Sequence, residues 1–201
     1  MRTFTLVVSL CSLGFFLCWL TTSQAAEIEL IGKVSVPSKT ADKTGLKGKL
    51  PDGTPLDRLG GFGSGIAYSG TGNTYYILPD RGPKDGAVAY PCRFHEVEIT
   101  IDPKSKEPVK FNLKDSILFT TDGKEFSGAL PAFDPKNPEK SRRMDPEGIR
   151  VSRQKTLYIS DEYGPNLFEF DLKGKELRRF KIPAHFQIET LSANPKDELP
   201  P

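Results

Sequence analysis

One segment of the chain occurs twice, and this repetition restricts the fold more than any other feature. Gly65-Ile66-Ala67-Tyr68, followed by Tyr76-Ile77-Leu78-Pro79-Asp80-Arg81-Gly82-Pro83, returns as Gly148-Ile149-Arg150-Val151, followed by Tyr158-Ile159-Ser160-Asp161-Glu162-Tyr163-Gly164-Pro165. Each copy reads as strand, turn, strand and acidic tight turn. A unit this small cannot bury its own apolar face and must stack on neighbours, which points to a repeat architecture of small β-sheets. The copies diverge where Phe62, Ser64 and Pro79 of the first become Asp145, Glu147 and Asp161 of the second. The shared residues read as scaffold and the gained carboxylates as a candidate site.

Strand patterns extend around both copies. Alternation from Glu27 to Val36 predicts an N-terminal strand with one buried face, and the Lys-, Gly-, Pro- and Asp-rich stretch from Pro37 to Asp57 predicts a loop. Four strands are expected next: Gly63 to Tyr68, Thr74 to Leu78, Phe94 to Ile101, and Val109 to Phe119 with a break near Lys114-Asp115. A polar connector from Thr120 to Met144 is longer than structureless loops inside a compact domain usually are, which points to function or mobility. The pattern then restarts over Gly148 to Val151, Thr156 to Ser160, Asn166 to Asp171 and Leu177 to Ile182, with Lys173-Gly174-Lys175 as a hairpin turn. No amphipathic helix of three turns is expected.

The predicted class is therefore all-β and β-propeller-like: two four-stranded blades plus an N-terminal strand, in an incomplete ring. Blades need roughly 40 residues and rings typically four to eight blades, so the chain reads as the N-terminal part of a larger propeller.

Residues 1 to 25 have the three zones of a secretory signal: Arg2, an apolar stretch from Leu6 to Leu20, and Ser23-Gln24-Ala25 before a cleavage expected between Ala25 and Ala26. The apolar stretch is short for a membrane span and no later stretch approaches the required length of about 20 residues. An uncleaved anchor is the alternative. Export to the periplasm or the extracellular space is the expectation, with residues 26 to 201 as one partial propeller domain.

Cleavage would leave Cys92 alone, so no internal disulfide can form and stability must come from packing; Cys92 reads as a half-buried apolar side chain. Loss of Arg2 leaves 27 basic residues against 26 acidic ones. That balance offers no field and no basic stripe for a nucleic acid, so none is expected as a partner. The oligomeric state is left open.

Proline at 146 biases Asp145 toward extended geometry, and period two would then aim Asp145 and Glu147 to the same side. Asp161 or Glu162 could approach them from the next strand. Such oxygen donors suit a hard cation such as calcium; without one, mutual repulsion would raise at least one pKa. The alternative is that these acids close turns by binding backbone amides. Asp80 and Arg81 form a second candidate site, with Arg81 able to grip a phosphate or carboxylate or simply to pair with Asp85. Lys140, Arg142 and Arg143 could draw an anionic substrate over the ring or lie solvated in the connector. His95 and His185 have no metal-ligand spacing, and no nucleophile elbow, phosphate loop or dinucleotide fingerprint is present.

The set Gly63-Ser64-Gly65-Ile66, Asp80-Arg81-Gly82-Pro83, Met144-Asp145-Pro146-Glu147-Gly148-Ile149, Ser160-Asp161-Glu162-Tyr163-Gly164-Pro165 and Leu167-Phe168-Glu169-Phe170-Asp171 resembles the phytase-like domain, also described as the esterase-like activity of phytase. The resemblance covers nearly all of residues 28 to 190. It implies a secreted β-propeller that hydrolyses phosphate esters or related esters of small anionic substrates with calcium assistance. The residues it marks are Asp80, Arg81, Asp145, Glu147, Asp161 and Glu162, with Glu147 as ligand or general base. A non-catalytic propeller that binds a ligand or partner on its rim is the other reading.

Overall fold

A computed structural model describes residues 28–37, 39–163, 165–190, 192, 194 and 197. The expected signal and its cleavage site at Ala25 and Ala26 lie outside the described residues. The chain divides into two compact units, residues 1–30 and 31–201; of the first, only residues 28–30 are described. No helix among the described residues is long and apolar enough to cross a membrane.

The second unit is all-β. Strands β1 (Phe62–Tyr68), β2 (Thr74–Pro79), β3 (Arg93–Ile101) and β4 (Val109–Leu118) form one antiparallel sheet in sequential order. A small hairpin of β5 (Thr120–Thr121) and β6 (Lys124–Glu125) follows. Strands β7 (Pro146–Val151), β8 (Leu157–Asp161), β9 (Asn166–Phe170) and β10 (Glu176–Arg179) form the second four-stranded sheet, again in sequential order. Helical structure among the described residues is confined to single 3-10 turns at Leu130–Ala132, Pro138–Lys140 and Ala184–Phe186. The expected break in the fourth strand is a β-bulge: Glu96 pairs with Asp115 and Val97 with Leu113, leaving Lys114 without an opposite residue.

The two copies of the repeat share a register. Ile66 lies opposite Ile77 in the first sheet, and Ile149 opposite Ile159 in the second. Turn chemistry holds the hairpins, as where Asp171 Oδ1 accepts the backbone N–H groups of Lys173 and Lys175, both at 2.9 Å.

β1 lies against β7. A Cβ built on Gly65 would stand 3.0 Å from Ile149 Cγ2. The core fills the space between the sheets with a chain of rings: Tyr76 to Phe94, Phe94 to Phe119 (5.3 Å between centroids), Phe119 to Phe170 (4.5 Å) and Phe170 to Phe126 (5.6 Å). Buried aromatic surface of this kind dominates core energetics, and offset or edge contacts add about 0.5–1.5 kcal/mol per pair.

Phe126 brings the connector into this core. The connector, whose length points to function or mobility, is tied down at both ends. The Cys92 backbone N–H donates to the Phe126 carbonyl at 2.9 Å, and the Met144 N–H to the Ser127 carbonyl at 3.0 Å. Its buried rings explain the difference, because the surrounding polar residues hide them from any reading by average polarity. Cys92 is fully buried rather than half-buried, and its Sγ donates to the Met144 carbonyl at 3.3 Å. Burial pushes its thiol pKa well up, so it stays protonated.

The expected N-terminal strand does not form over the described residues 28–36. Ile28 is 97 % exposed and Leu30 81 %. An alternating segment becomes a strand only where a neighbour accepts its backbone hydrogen bonds, and no described strand pairs with this one. The stretch after it is a loop, as expected. It is anchored by the buried Arg93–Asp42 ion pair and by the Leu59 N–H bonding to the Thr40 carbonyl at 2.9 Å.

Candidate functional site

The acidic turns of the two repeats come together at one end of the sheets. Asp80 directly follows β2, Asp145 directly precedes β7, and Glu147 lies inside β7. The alternation expected to align Asp145 with Glu147 is interrupted there. Pro146 pairs with Asp161 and Gly148 with Ser160, so Glu147 occupies a bulge with no residue opposite it. Bulges re-aim single side chains and often border functional sites. One carboxylate oxygen from each of Asp80, Asp145 and Glu147 lies within 4.8 Å of the others.

Arg81 sits among these acids. Its guanidinium pairs with Asp145 through Nη1 and with Asp85 through Nη2, and its Nε donates to Asp85 Oδ1 at 2.7 Å. Its backbone N–H reaches Asp145 Oδ1 at 3.3 Å, and Glu162 Oε1 lies 3.9 Å from Nη1. The expected pairing of Arg81 with Asp85 is present, and Arg81 is also paired with Asp145 of the acidic motif.

The guanidinium also lies 5.1 Å from the centre of the Tyr163 ring. Tyr163 occupies the position in the second repeat that Arg81 occupies in the first, so equivalent turn residues meet across the repeat. Gly128 lets the connector lie against the Arg81 backbone, because a Cβ there would fall 1.7 Å from the Arg81 carbonyl oxygen. Gly82, at φ +102°, turns the chain beneath the Tyr90 ring.

The electrostatics follow from packing. Burial of Asp145, reinforced by Asp80, raises its pKa to about 8, against the pull of Arg81. Glu147 is raised by burial and by the fields of Asp80 and Glu162, again opposed by Arg81. Burial works against the charge of Arg81, but the carboxylates of Asp85 and Asp145 outweigh it and its pKa rises.

Asp161 has a different setting. It lies outside the three-acid group, almost completely buried, and accepts from Asp145 N (2.7 Å), Tyr163 N (3.0 Å) and Asn166 Nδ2 (2.7 Å). Burial pushes its pKa to about 7 against these donors. Its place is that of a brace: it holds the backbone of Asp145 and the β8–β9 turn in one geometry. Glu162 is largely exposed at the edge of the cluster.

The basic residues of the connector lie elsewhere. Arg143 is 1 % exposed, with its guanidinium 4.5 Å from the Phe133 ring centre and 4.6 Å from that of Tyr163, and Nη1 donates to the Ser192 carbonyl at 3.0 Å. Arg142 is half-buried and donates to the Glu125 carbonyl at 2.8 Å. A solvated place in the connector does not describe Arg143, because the packed connector carries it inward.

Asp80, marked by the sequence as a substrate contact, lies within the acidic group, as its equivalence to Glu162 signals; Tyr163 is the site residue that sequence reasoning missed. Tyr163 was read only as part of a turn, and nothing in the sequence announces a ring facing two guanidinium groups. Beside Asp80 the surface opens into a cleft of about 580 Å³.

The donor set is entirely carboxylate oxygen, the chemistry that hard divalent cations prefer. Among known proteins, the chain is 28 % identical over 198 residues to an "Uncharacterized secreted protein" of Arthroderma benhamiae (strain ATCC MYA-4681 / CBS 112371), an alignment covering 77 % of this chain and 36 % of the relative. The chain thus spans about a third of the length of this curated relative. No solved structure matches it. A family profile described as "Phytase-like: Esterase-like activity of phytase" matches residues 57–197, most of the chain and nearly all of both sheets, and the chain belongs to this phytase-like family.

Proposed function

We propose that the chain is the site-bearing part of an exported, calcium-assisted hydrolase of phosphate esters or related esters. The observation that carries this reading is the convergence of Asp80, Asp145 and Glu147 around Arg81 at the ends of two repeated sheets. Export is supported by the leader-like residues 1–25 and by the description of the relative as secreted. The side-by-side placement of β1 and β7 supports reading the sheets as adjacent blades of a propeller, with residues 26–201 as part of the ring.

In this reading Asp80 and Asp145 would hold the cation, which when bound neutralises charge on the ester oxygens and acidifies water. Arg81, kept in place by Asp85 and Tyr163, contacts a non-bridging oxygen of a small anionic substrate. Glu147, beside them and acting as base in place of ligand, accepts a proton from water as the water oxygen bonds to phosphorus. It returns that proton to the leaving alkoxide as the ester P–O bond breaks. Asp161 positions Asp145 and touches no substrate.

The test is phosphate release from a panel of monoesters with calcium and with chelator. Asp145→Asn and Glu147→Gln are each expected to lower turnover about 10²-fold or more, in the range of a lost general acid or base. Equal turnover by wild type and both variants would remove this site. The second reading, a binding module without catalysis, draws on Arg81 being already paired with two carboxylates. Its expected result is no turnover with any ester.

A further inference from the structure

We infer that the cleft beside Asp80 receives an apolar group of the substrate, which makes the favoured substrate an aryl or branched-alkyl monoester and excludes densely phosphorylated polyols; the inference rests on the hydrolase reading above. The cleft has the volume of a small-molecule pocket, which commonly runs from about 300 to 1,000 Å³. Val36, Pro37, Leu59, Phe62 and Pro83 line it, and Asp80 belongs both to its wall and to the acidic cluster. A molecule whose reacting group lies at Asp80 and Arg81 therefore has an apolar wall directly next to it. Phe62 is held rigidly for this purpose by stacking on Phe111, with centroids 5.5 Å apart and planes 7° from parallel.

A densely phosphorylated polyol brings no apolar face to this wall, whose charged members are Arg58 and Asp80. Gly61 offers a direct means of intervention. It lines the cleft, and a Cβ built on it meets nothing within 4 Å, so a large side chain there projects into open space without displacing backbone.

The test compares 1-naphthyl phosphate, methyl phosphate and inositol hexakisphosphate as substrates in calcium buffer, and uses 1-naphthylphosphonate, whose C–P bond is not cleaved, as a binding probe. We expect kcat/KM for naphthyl phosphate at least tenfold above that for methyl phosphate, and the hexakisphosphate below both. Gly61→Phe should bring the naphthyl-to-methyl ratio close to one and weaken naphthylphosphonate at least tenfold. Val36→Thr, which keeps the wall nearly the same size but makes it polar, should weaken the phosphonate in the same direction and guards against a folding defect in the first variant. Turnover with no naphthyl preference, or phosphonate binding that neither variant changes, would overturn the cleft assignment and leave the hydrolase reading standing. Phosphonate binding lost in Gly61→Phe, without turnover of any ester, would do the reverse. Absence of both binding and turnover overturns the two together.

Discussion

In the first sheet Phe62 lies opposite Pro79, whereas in the second Pro146 lies opposite Asp161. The register is shared at Ile66–Ile77 and Ile149–Ile159 but differs by one residue at these strand ends, and the sheets bury polar groups for different ends. The first sheet encloses Arg93 against Asp42, with Arg93 Nη1 also donating to the Leu56 carbonyl at 3.1 Å and its guanidinium 4.1 Å from the Tyr90 ring centre. It also encloses His95, whose Nδ1 lies 2.8 Å from Ser116 Oγ, itself an acceptor for the Lys43 N–H at 3.0 Å. These contacts fasten residues 42–56 to the sheet. The second sheet instead buries Asp145 and Asp161 at strand ends, beside a cluster that opens to solvent through Asp80. The comparison teaches that one repeat has spent its buried charge on anchoring a loop and the other on arranging carboxylates.

The sharpest way to break this contrast is to remove one partner of the first sheet's ion pair. Asp42→Ala leaves Arg93 buried and uncompensated, and is expected to cost about 3–5 kcal/mol. Denaturant unfolding should show the midpoint falling with one transition, because both sheets share the Phe94–Phe119–Phe170 core. A loss under 1 kcal/mol would mean that the 42–56 segment is not anchored through this pair.

The two sheets should next reveal themselves in opposite responses to pH, measured on chelator-treated protein. Burial lowers the His95 pKa from 6.5 to about 4, so within that window the folded chain holds fewer protons than the unfolded chain, and stability falls as the pH drops. Asp145 is raised from 3.8 to about 8, so across that range the folded chain holds more protons, and stability falls as the pH rises. One proton can contribute a slope of at most about 1.4 kcal/mol per pH unit. The two contributions oppose each other between about pH 4 and 6.5, so His95→Gln is expected to make stability fall more steeply with rising pH there, and Asp145→Asn less steeply from there up to about pH 8. Stability curves unchanged by either substitution would remove the contrast.

The smallest effect belongs to the second sheet's outer ion pair. Arg178 Nε lies 2.6 Å from Glu169 Oε2, with the Arg178 side chain 58 % exposed. Solvent screening limits such a pair, and Arg178→Ala should lower the midpoint of thermal unfolding far less than Asp42→Ala does, and less still with added salt. A loss comparable to that of Asp42→Ala would erase the distinction between anchoring and surface charge.

Much of the fold was legible because strand formation here follows local patterns. Alternating apolar residues between Gly-, Asn- and Asp-rich turns predict all eight main strands to within a few residues, and the repeated Gly-Ile and Tyr-Ile pairs predict their shared register. The break at Lys114-Asp115 was visible as a lapse in alternation and is the bulge at Lys114. The N-terminal alternation misled because a strand also needs a hydrogen-bonding neighbour, which no local pattern records. The connector misled in the opposite sense: Phe126 and Met144 are few among polar residues, yet both are fully buried.

At the site, sequence by itself determined which residues could be acidic, which turns carry them, and that the second repeat gained carboxylates at positions equivalent to Phe62, Ser64 and Pro79. Only the tertiary structure decided that Asp80 joins Asp145 and Glu147, that Asp161 turns inward as a brace, and that Arg81 rests on Tyr163. The physical reason is range. Turn and strand preferences act over a few neighbouring residues, whereas the packing of β1 against β7 and the bulge at Glu147 set the distances between carboxylates some 65 residues apart.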